Sequence, residues 1–292
     1  MHGRFGEAGL QPSRGSTILN RKLEMRLIFM TFAAVTLTAI VGFPNTASAQ
    51  WLNYPTLGVP KTADGRPNLT APTPRTRDGH PDLSGLWKPQ NTMRTISTFD
   101  RAGAFFDLGT DMKGGLPYQP WAAQRVIKNR ENNFKDQPDG KCLPLSPTQS
   151  DTHNDIRRLI QTPEVAVLLF EKNTTYRTLH LDGRALEPEP EPSWRGYSVG
   201  KWDGDTLVVE TNGLKDDTWL DYAGSPITSK GKLVERFRRT NYGNLDVEIT
   251  VNDPAAYTKP WTTTVNWQIA LNTEQMEFIC DNEKDQKHMV GK

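Results

Sequence analysis

The chain has 292 residues, with 35 Lys and Arg against 34 Asp and Glu, and a formal net charge of +1. So even a balance leaves no electrostatic footprint for nucleic acid or for an anionic membrane surface. Two cysteines, Cys142 and Cys280, exclude a four-cysteine zinc framework and a C-x-x-C-H haem attachment.

The first predicted element is a targeting segment. Arg21, Lys22 and Arg26 form a basic flank, residues 27–41 are an almost unbroken apolar run, and Pro44 interrupts it before Ala47, Ser48 and Ala49. That order is the n-region, h-region and A-x-A site of a secretory signal peptide. A run of about 15 apolar residues is also shorter than the roughly 20 needed to span a membrane. Residues 1–49 are therefore expected to be removed near Ala49, which places the protein in the periplasm or outside the cell with no membrane insertion of the mature chain. Residues ahead of Met25 read as an upstream start. The mature chain would hold roughly 243 residues at a formal charge of about −2, one domain with an extension. In an oxidising compartment Cys142 and Cys280 are expected to form one disulfide.

Residues 50–141 read as an extended arm, dense in Pro and Gly, with one helix. Within it Asp64-Gly65-Arg66-Pro67-Asn68-Leu69 returns fourteen residues later as Asp78-Gly79-His80-Pro81-Asp82-Leu83. Asp-Gly followed by proline predicts two similar surface turns, and His80 reads as a solvated turn residue. Pro120 suits a helix first turn, so residues 120–134 predict one exposed helix. Asp151, His153 and Asp155 alternate along the next segment and are donor types a divalent ion uses. Their spacing is that of no standard metal site and their neighbours are polar, so neither a metal nor another cofactor is expected.

From residue 165 the pattern turns to period two. Strands are predicted at 165–171, 175–181, 196–202, 206–211, 233–240, 245–251, 261–271 and 275–281, paired through short turns such as Asp203-Gly204. The expected fold is mainly β: an eight-stranded antiparallel, lipocalin-like barrel over residues 142–292, packed as one unit with the arm and one or two short helices. A β-sandwich is the alternative, disfavoured because only two connections are long. A barrel of this size can hold one small ligand.

Several motifs are distinctive: PDLSGLW at 81–87, CLP at 142–144, GYSVGKWDGDTLVVET at 196–211 and TWLD at 218–221. Together, and across nearly the whole mature chain, they resemble a family of uncharacterised exported bacterial proteins with no assigned activity. The resemblance implies a single folded unit and names no reaction.

The long connections, 182–195 and 212–232, are where a rigid barrel would carry function. Asp216, Asp217 and Asp221 lie within six residues, and paired carboxylates push one pKa up toward a usable acid. Their plainer role is in turns or caps. His180 shares a strand face with Tyr176 and Thr178, opposite Arg177, Leu179 and Leu181, and is a general base if that face points inward. Asp217, Asp221 and His180 are thus the catalytic candidates. Trp194, Trp219, Tyr197, Tyr222 and Arg184 are the ligand-binding candidates. No nucleophile elbow, phosphate loop or dinucleotide fingerprint is present. The expected function is binding of a small, partly apolar molecule in the cavity of the barrel; the alternative is a cofactor-independent lyase, isomerase or hydrolase using the Asp and His candidates in the same cavity. Residues 212–232 should fold across a barrel mouth as a lid, with Trp219 facing the cavity and Asp221 near its rim.

Overall fold

The computed structural model describes residues 54–90, 108–109 and 112–280, so the signal segment and its cleavage site lie outside the described residues. Among them nine strands close into one barrel in chain order. These are β1 (Gly85–Gln90), β2 (Arg157–Gln161), β3 (Val165–Phe170), β4 (Thr175–His180), β5 (Tyr197–Asp203), β6 (Thr206–Asn212), β7 (Lys232–Asn241), β8 (Asn244–Asn252) and β9 (Trp261–Ile269). Helices α1 (Pro120–Glu131) and α2 (Pro147–Thr152) precede β2.

The expected eight antiparallel strands need correcting in three respects. Strands β1 and β2 come from stretches read as arm and loop, the predicted strand at 275–281 is absent, and the barrel is mixed. Closure explains the additions. Strands β3 to β9 alone would leave bare edges at both ends; β2 covers β3, and β1 joins the ends, Trp87 pairing with Arg157 on one side and Ile269 on the other. The parallel pair follows from parity, because nine strands around a closed ring cannot all alternate in direction. The exception falls at β4–β5, which meet at one bridge, His180 with Val199. The long 182–195 connection supplies the crossover that a parallel pair requires.

Alternation places the core. On β7, Leu233, Glu235, Phe237 and Arg239 are buried while Lys232 and Arg238 are exposed; on β8, Leu245, Val247, Ile249 and Val251 face inward. Trp87, Phe237 and Trp267 belong to the single hydrophobic cluster these residues form, with Phe237 edge-on to Trp267 at 5.8 Å. Each fully buried large side chain contributes about 1.5–3 kcal/mol.

Helix α2 is short but firmly started. Ser146 Oγ accepts from the Gln149 amide at 3.1 Å, and Gln149 Oε1 accepts from the Ser146 amide at 3.3 Å, a reciprocal capping box. All six of its residues are buried, and Trp267 Nε1 on β9 donates to the Asp151 carbonyl at 2.9 Å. The helix therefore packs as part of the interior.

The arm repeat does make two like turns. The Thr62 amide donates to Arg66 O and Gly65 to Thr62 O, both at 2.9 Å; Thr76 donates to His80 O at 2.9 Å and Gly79 to Thr76 O at 3.1 Å. The second turn is clamped to the β5–β6 hairpin. Arg75 grips Asp205 through two bonds of 2.9 and 2.7 Å, and His80 stacks nearly parallel on Trp202 at 4.6 Å, so it is a packing residue and not a solvated one. Residues 271–280 form an irregular tail, in which Gln275 Nε2 donates to Leu169 O and the Met276 amide to Glu171 Oε1, each at 2.8 Å. Its end is bonded to the turn before α2 by the Cys142–Cys280 disulfide. No helix among the described residues is long and apolar enough to cross a membrane.

Candidate functional site

The loop between β6 and β7 folds back, as its apolar content demands: Leu214, Leu220 and Ile227 join the core cluster. Asp221 is not at a rim; it is 1% exposed. Its carboxylate accepts from the Ser225 amide at 2.9 Å, Ser225 Oγ at 2.6 Å and the Leu108 amide at 3.2 Å, which makes it the brace of a turn. Asp216 holds the Ser229 amide at 2.6 Å in the same manner. Asp217, by contrast, is exposed. His180 lies on the outer face of β4, because the inward positions are Arg177 and Leu179. The three catalytic candidates thus occupy three different environments and are not brought together.

His180 is instead grouped with two ligand-binding candidates. Its ring lies 5.1 Å from that of Tyr197, whose hydroxyl accepts from Arg184 Nη1 at 3.0 Å. Arg184 is also tied to Asp182, through Nε at 2.9 Å and Nη2 at 2.6 Å. Burial, and then the charge of Arg184, hold His180 below its ordinary 6.5. Tyr222 donates its hydroxyl to Asp139 Oδ2 at 2.8 Å, and burial with that carboxylate raises its pKa; it is a structural tie.

The remaining candidates converge. Trp194, Asp217 and Trp219 line a cleft of about 470 Å³ together with Arg125, Lys128 and Asn129 of α1 and Asn132, which caps its C-terminal end. Those four positions stand at i, i+3, i+4 and i+7, one stripe of a helix. Asn129 is buried, and its Nδ2 has no hydrogen-bonding partner; Asn132 Oδ1 has none either. The amide of Asn129 rests in a notch at Gly224, where φ is +82° and a Cβ would stand 2.1 Å from Nδ2. Lys215 Nζ lies 5.6 Å from the Trp194 ring centroid, within cation–π range. From the sequence this helix reads only as an exposed one; the polar residues at helical spacing are the signal that sets this face against the cleft.

A second polar assembly is sealed inside the barrel. Arg177 donates through Nη1 to Glu235 Oε1 at 2.8 Å and through Nη2 to Oε2, and it also reaches Ser198 Oγ and Thr211 Oγ1. Arg157, fully buried, donates to the carbonyls of Asp151, His153 and Asp155 and lies over the Trp267 ring at 4.9 Å. Arg195 bonds Ser150 Oγ at 2.8 Å and Thr175 Oγ1 at 2.5 Å. Asp151, His153 and Asp155 do not share a metal-binding face: Asp151 turns into this interior, and His153 Nδ1 pairs with Asp155 at 2.9 Å. Sequence reading missed the assembly, although Arg177 shares its strand face with Leu179, and Glu235 stands between Leu233 and Phe237, with opposite sign.

Asp151 is the unbalanced member. Neither carboxyl oxygen has a hydrogen-bonding partner among the described residues. Burial first, and then the Glu235 charge, raise its pKa well above 3.8. A raised carboxyl binds its proton more tightly folded than unfolded, so its stabilising contribution is complete below 3.8 and is lost as pH climbs through the folded value. Asp151→Asn should therefore gain stability relative to the natural protein between pH 5 and 8, with little difference at pH 3.5, in urea titrations across that range. A variant that is weaker at pH 8 would mean that ionised Asp151 is a net partner of the arginines.

No known protein family matches the chain, and no curated protein does.

Proposed function

We propose that this is an exported protein that binds a small, partly apolar molecule in the cleft between α1 and the β6–β7 loop. The observation that carries the reading is the composition of that cleft: two tryptophans and a charged helical stripe around about 470 Å³. Small-molecule sites combine an apolar surface with a few convergent polar groups in this way. The barrel is better regarded as the rigid frame than as the container, since its inward side chains pack into one continuous cluster. Export is supported by the order of basic, apolar and A-x-A residues ahead of position 50 and by the disulfide. The acid–base alternative requires one substrate to touch Asp217 or Asp221 together with His180, and their separate surroundings give it no support.

Titration of the mature protein with the fluorescent aromatic sulfonate 1-anilinonaphthalene-8-sulfonate tests the reading. Trp194 is half-buried, so Trp194→Ala should abolish the fluorescence gain with little change in unfolding midpoint. Trp219 is 3% exposed, so Trp219→Ala should lower stability by about 3 kcal/mol as well. Undiminished binding by Trp194→Ala would remove the cleft from consideration.

A further inference from the structure

We infer that the cleft selects an anionic ligand with a flat apolar body, an assignment that rests on the cleft being the binding site. Its lining holds three cations, Arg125, Lys128 and Lys141, against two acids, Asp136 and Asp217. Lys141 is spoken for by Asp136 at 3.6 Å, and Asn132 Nδ2 also donates to Asp136 at 3.0 Å. Arg125 and Lys128 pair with no described carboxylate. They are adjacent on one stripe of α1, so one ligand anion can meet both.

One further feature favours an anion over a cation. A tryptophan beside an aspartate would suit a cationic ligand, but the Trp194 ring already has the Lys215 ammonium 5.6 Å from its centroid. A second cation there would meet repulsion, whereas an anion over that ring edge adds an attraction. Asp217 is then the one acid of the lining without a basic partner within it, and it sets a limit on how much negative charge the ligand can carry. A monoanion such as an aromatic or alicyclic carboxylate fits this balance.

The test uses three probes of one shape, 2-naphthoate, 2-naphthalenemethanol and 2-naphthylmethylammonium, titrated into the mature protein at low ionic strength by calorimetry. Naphthoate should bind about tenfold more tightly than the neutral alcohol, the sum of two exposed charge contacts, and the ammonium probe least. Lys128→Gln, an exposed position, should weaken naphthoate about threefold and leave the alcohol unchanged, and Asp217→Asn should strengthen naphthoate by a similar factor. Raising the salt should erode the preference. Equal affinity for the three probes, or preference for the ammonium, with binding still lost in Trp194→Ala, overturns the anion assignment and leaves the cleft. Binding of no probe, or binding indifferent to Trp194→Ala, overturns both.

Discussion

Glu235→Gln is expected to lower stability by about 4 kcal/mol at pH 5, the range found when one partner of a buried ion pair is removed. Glu235 is fully buried and Arg177 nearly so, and the carboxylate engages both terminal nitrogens of the guanidinium. Without it Arg177 keeps only the hydroxyls of Ser198 and Thr211, which cannot neutralise a charge inside a barrel. The neighbouring carboxyl adds a signature. Part of what holds Asp151 protonated is the Glu235 charge, so in the variant Asp151 should ionise more readily and take over as the counter-ion. The loss should accordingly shrink toward pH 8. Arg177→Leu combined with Glu235→Leu should recover most of the stability, because an apolar pair avoids the desolvation of both charges. If the double variant is as weak as the single one, shape and not charge is what the pair supplies.

The second large effect is expected from the disulfide. Cys142→Ser with Cys280→Ser should lower stability by about 5 kcal/mol in the chain-entropy account, since the bond joins residues 138 apart in sequence. The enclosed span runs from the turn before α2 through β9, so in the unfolded state the bond restrains nearly the whole barrel sequence. Denaturation of the variant beside the oxidised protein measures the difference. A loss under about 1 kcal/mol would show that residual structure in the unfolded chain already holds the ends together.

Seven of the nine strands were legible in the sequence: Val165 opens an unbroken apolar run, and Thr175, Tyr197, Thr206, Leu233, Leu245 and Trp261 open stretches rich in β-formers and bounded by turn residues. The other two are made by the fold. Strand β1 contains Pro89, which has no donor, and follows two turn repeats, so nothing local announces it; it is a strand because β2 and β9 need a common neighbour. Strand β2 opens with Arg157 and Arg158, which read as solvent-facing. Arg157 is buried only because three carbonyls and the Trp267 face happen to surround it. Helix α2 did carry a signature, Ser146 with Gln149 three residues on, but six residues give no periodicity to confirm it. The cleft was half legible: aromatic residues in the long connections pointed to Trp194 and Trp219, whereas the contribution of α1 depends on where the helix docks. The catalytic trio shows the opposite error. Asp217 and Asp221 are four residues apart in a loop, yet one is in solvent and the other beneath it.

The pairing of β1 with β9 also governs the order in which the molecule can assemble. Trp87 cannot find Ile269 until nearly the whole polypeptide has been made, and contacts so distant in sequence form slowly. Any growing chain passes through a stage in which β1 has no permanent neighbour on one side and the newest strand has none on the other. Such bare edges invite pairing with other molecules. The final strand is therefore the latch of the barrel, and a polypeptide ending before Trp261 would retain every residue of the cleft while leaving both edges of the sheet open to other molecules.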